Sequence, residues 1–268
     1  MKQNLHTHTN YCDGKNTPEE MLEAAIAKGF DSIGFSGHSY MTYDPLVTDY
    51  IADYKVHINR LKEEYAQRIR VYLGLEVDMF SGRESDLSGF DYLIGSVHDL
   101  CREGDYFSID ESADRLKEVT DRYFGGDGLA IARAYYETLA QLPEYGKFDF
   151  IAHFDLITKY RNTLSIIDDQ CREYRNYALE AAYALKGKVP FFEVNSGAIA
   201  RGYRNTPYPA TFLIKELKEL GFGAIITSDC HDCTKLDLHF DQSAQLLRDC
   251  GLKERDVLTT NGFVPVAL

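Results

Sequence analysis

The stretch Leu5-His6-Thr7-His8-Thr9 sets two histidines two residues apart at the end of the first apolar run. In an extended chain residues i and i+2 face one side, roughly 6.5 Å apart. That spacing lets both imidazoles converge on one divalent cation, which binds His nitrogen at about 2.0–2.1 Å. Alone, such a pair could equally be two polar residues near a fraying terminus. Its meaning depends on whether similar residues recur downstream in the same structural setting.

They do. Short β-prone runs at Gln3–His8, Ser32–Ser36, Val71–Glu76, Tyr92–Ser96, Phe148–His153, Phe191–Asn195 and Ala224–Ser228 alternate with helical stretches. His6 and His8 end the first run and Asp13 follows it. His38 follows the second, Glu76 ends the third, His98 follows the fourth and His153 ends the fifth. Asp229 and His231 follow the seventh. Six of the eight histidines therefore fall at strand ends, which chance does not readily produce. His57, within a helical stretch, and His239 follow no strand and read as structural.

The helical stretches are Asp49–Arg68, Ser112–Phe124, Gly128–Leu142, Asp168–Lys186 and Thr211–Leu220, with a further helix opened by Thr17-Pro18-Glu19-Glu20. That opening combines an N-cap, a proline in the first turn and acids that suit the helix dipole. Strands alternating with helices predict a mostly parallel α/β sheet, closed into a barrel by right-handed crossovers. In such a barrel the strand C-termini gather at one mouth. A single domain over residues 1–268 is expected, with an inserted lid-like region at about 99–145 and a short extended segment at Phe263–Val266.

Nine ligand-type residues at one mouth exceed what a single ion with an open position can use. Glu76 is the carboxylate placed to bridge two ions, and clusters of ions about 3.5–4 Å apart suit hydrolysis. Mixed His and carboxylate donors fit zinc, manganese or iron.

Composition narrows the partners. Lys and Arg number 29 against 42 Asp and Glu, a net charge of −13, which repels phosphate backbones and anionic membrane surfaces. No apolar run is long enough to span a bilayer and no secretory leader is evident, so a cytoplasmic protein is expected. The six cysteines have no framework spacing and read as free thiols, the Cys230-x-x-Cys233 pair included.

Taken together, H-x-H, S-x-H, G-L-E, G-S-V-H, A-H-F-D-L and S-D-x-H resemble the polymerase-and-histidinol-phosphatase (PHP) superfamily from about residue 4 to 232. The stretches Gly95–Asp110 and Ala152–Lys159 resemble its stand-alone histidinol-phosphate phosphatases. The resemblance implies a distorted (β/α)7 barrel with three divalent ions. One would take His6, His8, Glu76 and Asp229; a second Glu76, His98 and His153; a third Asp13, His38 and His231. Many relatives carry His at the place of Asp13, and an acid at the place of Gly37.

Hydrolysis of a phosphate monoester needs an activated water, charge neutralisation and a proton for the leaving oxygen. Asp229 or His38 is the candidate proton donor, with Glu76 at the bridge. Arg201 and Arg204, with Lys159 and Arg161, are the candidate phosphate-binding cations. Asp105 and Asp110 are candidates for a cationic part of the substrate. The expected substrate is L-histidinol phosphate, a small phosphate ester; no nucleic acid and no membrane are expected. Another small phosphate ester or nucleotide, or a non-catalytic metal-binding module, are the alternatives. Oligomeric state is not legible.

Overall fold

The structure is a computed structural model that describes residues 1–41, 49–81 and 86–268. The first half contains β1 (Gln3–Asn4), α1 (Pro18–Ala27), β2 (Ser32–Phe35), α2 (Ile51–Glu64), β3 (Arg70–Asp78) and β4 (Tyr92–Ser96). A hairpin, β5 (Asp99–Arg102) and β6 (Asp105–Ser108), then precedes α3 (Ala113–Phe124), α4 (Gly128–Leu139) and β7 (Phe150–Ile151). The chain continues through α5 (Arg172–Leu185), β8 (Phe191–Asn195), α6 (Gly197–Ala200), α7 (Thr211–Glu219) and β9 (Gly223–Thr227). It ends with α8 (Phe240–Asp249), β10 (Glu254–Thr259) and β11 (Gly262–Ala267).

Seven strands pair in parallel in the order β1-β2-β3-β4-β7-β8-β9. The sheet curls until its edges meet: the His8 amide donates to the Cys230 carbonyl (2.8 Å) and the Cys230 amide to that of His6 (3.1 Å). This is the expected distorted (β/α)7 barrel. One source of distortion is the β3–β4 connection, which has no helix among the described residues.

β2 stops one residue short of its predicted end, and two strands are cut back by two or more residues at their C-terminal ends, for a shared reason. The His6 amide turns to Asn4 Oδ1 (3.1 Å) and ends β1 at Asn4, short of His8. The His153 amide turns to Glu193 Oε1 (2.7 Å), just beyond the end of β7 at Ile151. The segment expected at Phe263–Val266 is one arm of an antiparallel hairpin with β10. That hairpin plugs the bottom of the barrel. Gln3 exchanges two side-chain hydrogen bonds with the backbone of Leu258 (2.8 and 2.9 Å).

Residues 99–145 divide into two parts. The hairpin and the turn after it contribute Asp99, Ser108, Asp110 and Glu111 to the mouth. Helix α4, capped by Asp127, buries Ile131, Ala132, Tyr135, Tyr136 and Leu139, and carries the crossover to β7. The capping box predicted at Thr17 and Glu20 is present.

Alternate positions on the strands build the interior in layers. Tyr72, Tyr92, Ile94, Phe150 and Ile225 form a buried apolar floor with Leu5 and Leu258. Further along the same faces come Glu76, Glu193 and Thr227, all buried. Tyr92 spans this floor. Its hydroxyl donates to the Leu5 carbonyl (2.5 Å), immediately before His6, and its ring occupies the space above Gly34 and Gly74. A Cβ on Gly74 would lie 2.1 Å from the Tyr92 ring. Gly74→Ala should therefore destabilise the protein by about 1–3 kcal/mol through overpacking. Thermal unfolding should show a Tm lowered by several degrees; an unchanged Tm would mean the ring is not fixed over this glycine.

Candidate metal centre

Glu76 lies at the middle of the mouth and is almost wholly buried. Its Oε2 is 3.3 Å from His6 Nε2, 3.5 Å from His8 Nε2 and 3.1 Å from His38 Nδ1. Its Oε1 is 3.1 Å from His153 Nε2 and 3.3 Å from His98 Nε2. Asp229 Oδ1 approaches His8 Nε2 (3.3 Å) and His6 Nε2 (3.7 Å) from the closing strand. Asp13 faces His38 Nε2 (3.5 Å), His8 Nδ1 (3.5 Å) and His231 Nε2 (3.0 Å). All nine residues predicted from the strand ends thus meet in one constellation.

Second contacts orient these rings. Glu193, which sequence reasoning missed, accepts from His6 Nδ1 (2.9 Å), the His153 amide (2.7 Å), Asn195 Nδ2 (2.7 Å) and Thr227 Oγ1 (2.7 Å). Its bond to Nδ1 places the proton there and leaves Nε2 of His6 facing Glu76. The signal for it was available: a lone acid on the inward face of a buried strand, with no cation near it in sequence. Asp78, two residues after Glu76, accepts from the His98 amide (2.8 Å) and lies 3.5 Å from its Nδ1. His231 Nδ1 lies 3.0 Å from the Asp229 carbonyl and 3.1 Å from Arg201 Nη1, with Nε2 turned towards Asp13.

Electrostatics keeps the carboxylates and His8 in binding form. Burial opposes the charge on His6, His38 and His98, but the carboxylates around them raise all three well above the usual imidazole value, so they give up protons on binding a metal. Burial resists ionisation of Glu76, but His6, His98 and His38 hold its carboxyl well below the usual carboxylate range. Burial, together with His231 and His38, pushes His8 down to about 3, so it is neutral at pH 7. Asp229 is likewise held well below its ordinary value against burial, chiefly by Arg201, whose Nη2 donates to Oδ2 at 2.8 Å.

The donor set fits divalent metal ions. Nε2 of His6, Nε2 of His8 and Oε2 of Glu76 are buried without hydrogen-bond partners among the described residues. Unmet buried polar atoms are costly, and here their lone pairs face one another. His98 Nε2 and His153 Nε2 are 3.2 Å apart beside Glu76 Oε1, so a proton can serve at most part of that triad. Clusters of this kind recur at His6–His8–Glu76, at His8–Asp13–His38–His231 and at His38–Glu76–His98, enough for more than one ion.

The model of the PHP domain family matches residues 4–197. The chain belongs to the PHP domain family. A probable histidinol-phosphatase of Deinococcus radiodurans is 28% identical to this PHP protein, covering 92% of each chain. The histidinol-phosphatase of Bacillus subtilis is 26% identical over 86% of this chain and 93% of its own. The crystal structure of histidinol phosphate phosphatase from Lactococcus lactis, in complex with zinc, L-histidinol and phosphate, shares the fold. It superposes with a TM-score of 0.76 over 98% of each chain at 21% identity. The protein is thus a PHP-family phosphoesterase.

The departure at Gly37 has a local cause in this PHP chain. The Tyr50 hydroxyl donates to the His38 carbonyl, and a Cβ on residue 37 would lie 2.7 Å from that oxygen. At the other departure, Asp13 reaches His8, His38 and His231 together, as a ligand there would need to.

The predicted cations separate. Arg201 and Lys159 line the mouth. Arg161 instead pairs with Asp169 (2.7 Å), outside the residues that line it. Arg204 is wholly buried, paired with Asp155 (3.5 Å) and bonded to Thr158 Oγ1 (2.5 Å), so it does not reach the mouth. Asp110 lines the cavity, whereas Asp105 faces outward onto Arg122 and Tyr123. His57 bonds Glu19 and Tyr11, and His239 bonds Gln242, both away from the site. All six cysteines are free.

Outer partners of a ligating histidine typically govern metal affinity by 10–100-fold. Glu193→Gln should therefore lose metal to a chelator at roughly 10–100-fold lower concentration than the parent protein. Elemental analysis across a chelator titration would measure this; equal retention would remove Glu193 from the centre.

Proposed function

We propose that this PHP phosphoesterase hydrolyses L-histidinol phosphate to L-histidinol and phosphate. The observation that carries the reading is one cavity of about 840 Å³ lined by both kinds of group. Seven of the nine donors line it with Arg201, His6 and His8 lying buried behind them, and Asp110 and Glu111 add carboxylates to the same cavity. In this reading a phosphate goes to the donors and Arg201, and the ammonium and imidazole of histidinol to the added carboxylates. The kinship with histidinol-phosphatases agrees.

In this reading the residues would hold three divalent ions, of zinc, manganese or iron, grouped as the family resemblance implies. His6, His8, Glu76 and Asp229 would hold one, Glu76, His98 and His153 a second, and Asp13, His38 and His231 a third. Such ions acidify water and neutralise phosphoryl oxygens. The protein's own groups do the rest. Arg201, protonated at every working pH, offers its fork to a phosphoryl oxygen at the rim. Lys159 bonds both the carbonyl (2.7 Å) and Oδ2 (3.0 Å) of Asp110. Burial resists ionisation of Asp110, yet Lys159 and His98 bring it down to about 2, so it is a fixed negative charge for a substrate cation. As water adds to phosphorus and the ester P–O bond breaks, one proton passes from the water to the leaving oxygen. The reading assigns that proton to Asp229 or His38, both of which line the cavity.

The metal-loaded protein should release phosphate from L-histidinol phosphate at least about a hundred-fold more efficiently, in kcat/KM, than from generic monoesters. Comparable values on all monoesters would refute the substrate and leave the hydrolytic chemistry standing.

A further inference from the structure

Arg204 poses a physical problem. Its side chain has no exposed surface, and its matching charge is Asp155, at 3.5 Å. Burying a charge is expensive unless its geometry and hydrogen bonds repay the lost hydration. Here the repayment is partial, since Arg204 Nε and Nη2 and Asp155 Oδ1 are buried without hydrogen-bond partners among the described residues; what the pair does is join two loops. Asp155 belongs to the turn directly after His153, which leads into the helical turn Leu156–Thr158. Arg204 ends the loop that follows β8 and α6. Asp155 Oδ2 also accepts from the Ala210 amide (3.0 Å), and Arg204 Nη1 donates to Thr158 Oγ1. The guanidinium lies 4.2 Å from the ring centre of Tyr208, whose amide and carbonyl pair with those of Asn195 (both 2.9 Å).

Arg201 stands on the same loop, three residues earlier. The Arg204 and Tyr203 amides both fold back to the Ala198 carbonyl (3.3 and 2.9 Å), so the path from α6 to Arg204 is tightly wound. Along it the Arg201 guanidinium turns back over Gly197, where a Cβ would lie 3.0 Å from Nη2. There it meets Oδ2 (2.8 Å) and the carbonyl (3.1 Å) of Asp229.

We propose that Arg204 is a positioning residue: clamped to Asp155, it fixes the loop that aims Arg201 at Asp229 and at the phosphate subsite. The sequence places both arginines at the mouth as equals. The structure divides their labour, with one facing the cavity and the other anchoring its aim.

The proposal rests in part on the reading of this site as a phosphate site, and two measurements keep the two claims apart. The first needs no ligand. In the metal-free full-length protein, the rate at which phenylglyoxal modifies Arg201 is followed by peptide mass spectrometry. Arg204→Met should raise that rate several-fold and Arg204→Lys less. Because Arg204→Met leaves the Asp155 carboxylate buried without its counter-charge, the double variant Asp155→Asn/Arg204→Met is a second probe and should behave alike. An unchanged rate in the double variant would overturn the clamp.

The second measurement is binding of inorganic phosphate to the metal-loaded protein, with metal content determined in parallel. Arg204→Met should weaken binding about tenfold at unchanged metal content, and should weaken it no further in an Arg201→Met background, as expected of coupled residues. Additive losses, or losses that track metal content, would overturn the proposal and leave Arg204 a general support of the fold. If the parent protein binds no phosphate, the functional reading falls, and the modification rates alone judge the clamp.

Discussion

One desolvated carboxylate governs this structure. Glu76 sits near the centre of the barrel mouth with five imidazoles against its two oxygens. A buried carboxylate is tolerable only when its charge is answered and its lone pairs are used. Each answering group comes from a different place in sequence: residues 6 and 8, 38, 98 and 153. Satisfying Glu76 therefore requires β1, β2, β4 and β7 to end at the same height beside β3. The centre and the barrel are two descriptions of one constraint.

The backbone yields to that requirement in a regular way. The amides of His6, His98 and His153 donate to side chains, namely Asn4 Oδ1, Asp78 Oδ2 and Glu193 Oε1. A strand that kept its ladder would hold its ring in the pleat. By surrendering one ladder bond to a fixed acceptor, each ligand residue leaves the pleat while its N–H remains satisfied. Glu193 does this twice over, since it also holds Nδ1 of His6. His38, which stays bridged in parallel to Glu76, and His8 are the exceptions. At His8 the exception also serves the fold. The His8 amide bonds the Cys230 carbonyl, and so the residue that carries a ligand also closes the barrel.

This explains what was legible in the sequence. Ligand residues at strand ends are read from local pattern, because each follows its own apolar run. Hence the barrel and the gathering of nine ligand-type residues at its mouth are legible in the sequence. Strand termini are not, because what ends β1 and β7 is a tertiary acceptor, in one case 40 residues away. Glu193 carries a local signal, a lone inward acid mid-strand, but its role as acceptor for His6 and the His153 amide depends on tertiary neighbours. The β10–β11 hairpin was half seen. Its buried residue Leu258 plugs the barrel through Gln3 and Tyr72, contacts spanning most of the chain. Arg204 was misplaced since sequence cannot tell a cation that faces the mouth from one that turns beneath it.

The charge balance of the mouth follows from the same geometry. Asp13, Glu76, Asp78, Glu193 and Asp229 gather there in a chain whose net charge is already −13. Such a concentration draws dications and by itself repels phosphate. An anionic substrate can therefore enter only after cations have reversed the local potential, and Arg201 and Lys159 are the side-chain cations lining the cavity. Both are already engaged with carboxylates, Asp229 and Asp110. Each thus adds a local positive edge without leaving an unpaired charge in the mouth. On the proposed reading, such a mouth would take a molecule that brings phosphate to the donors and a positive group to Asp110.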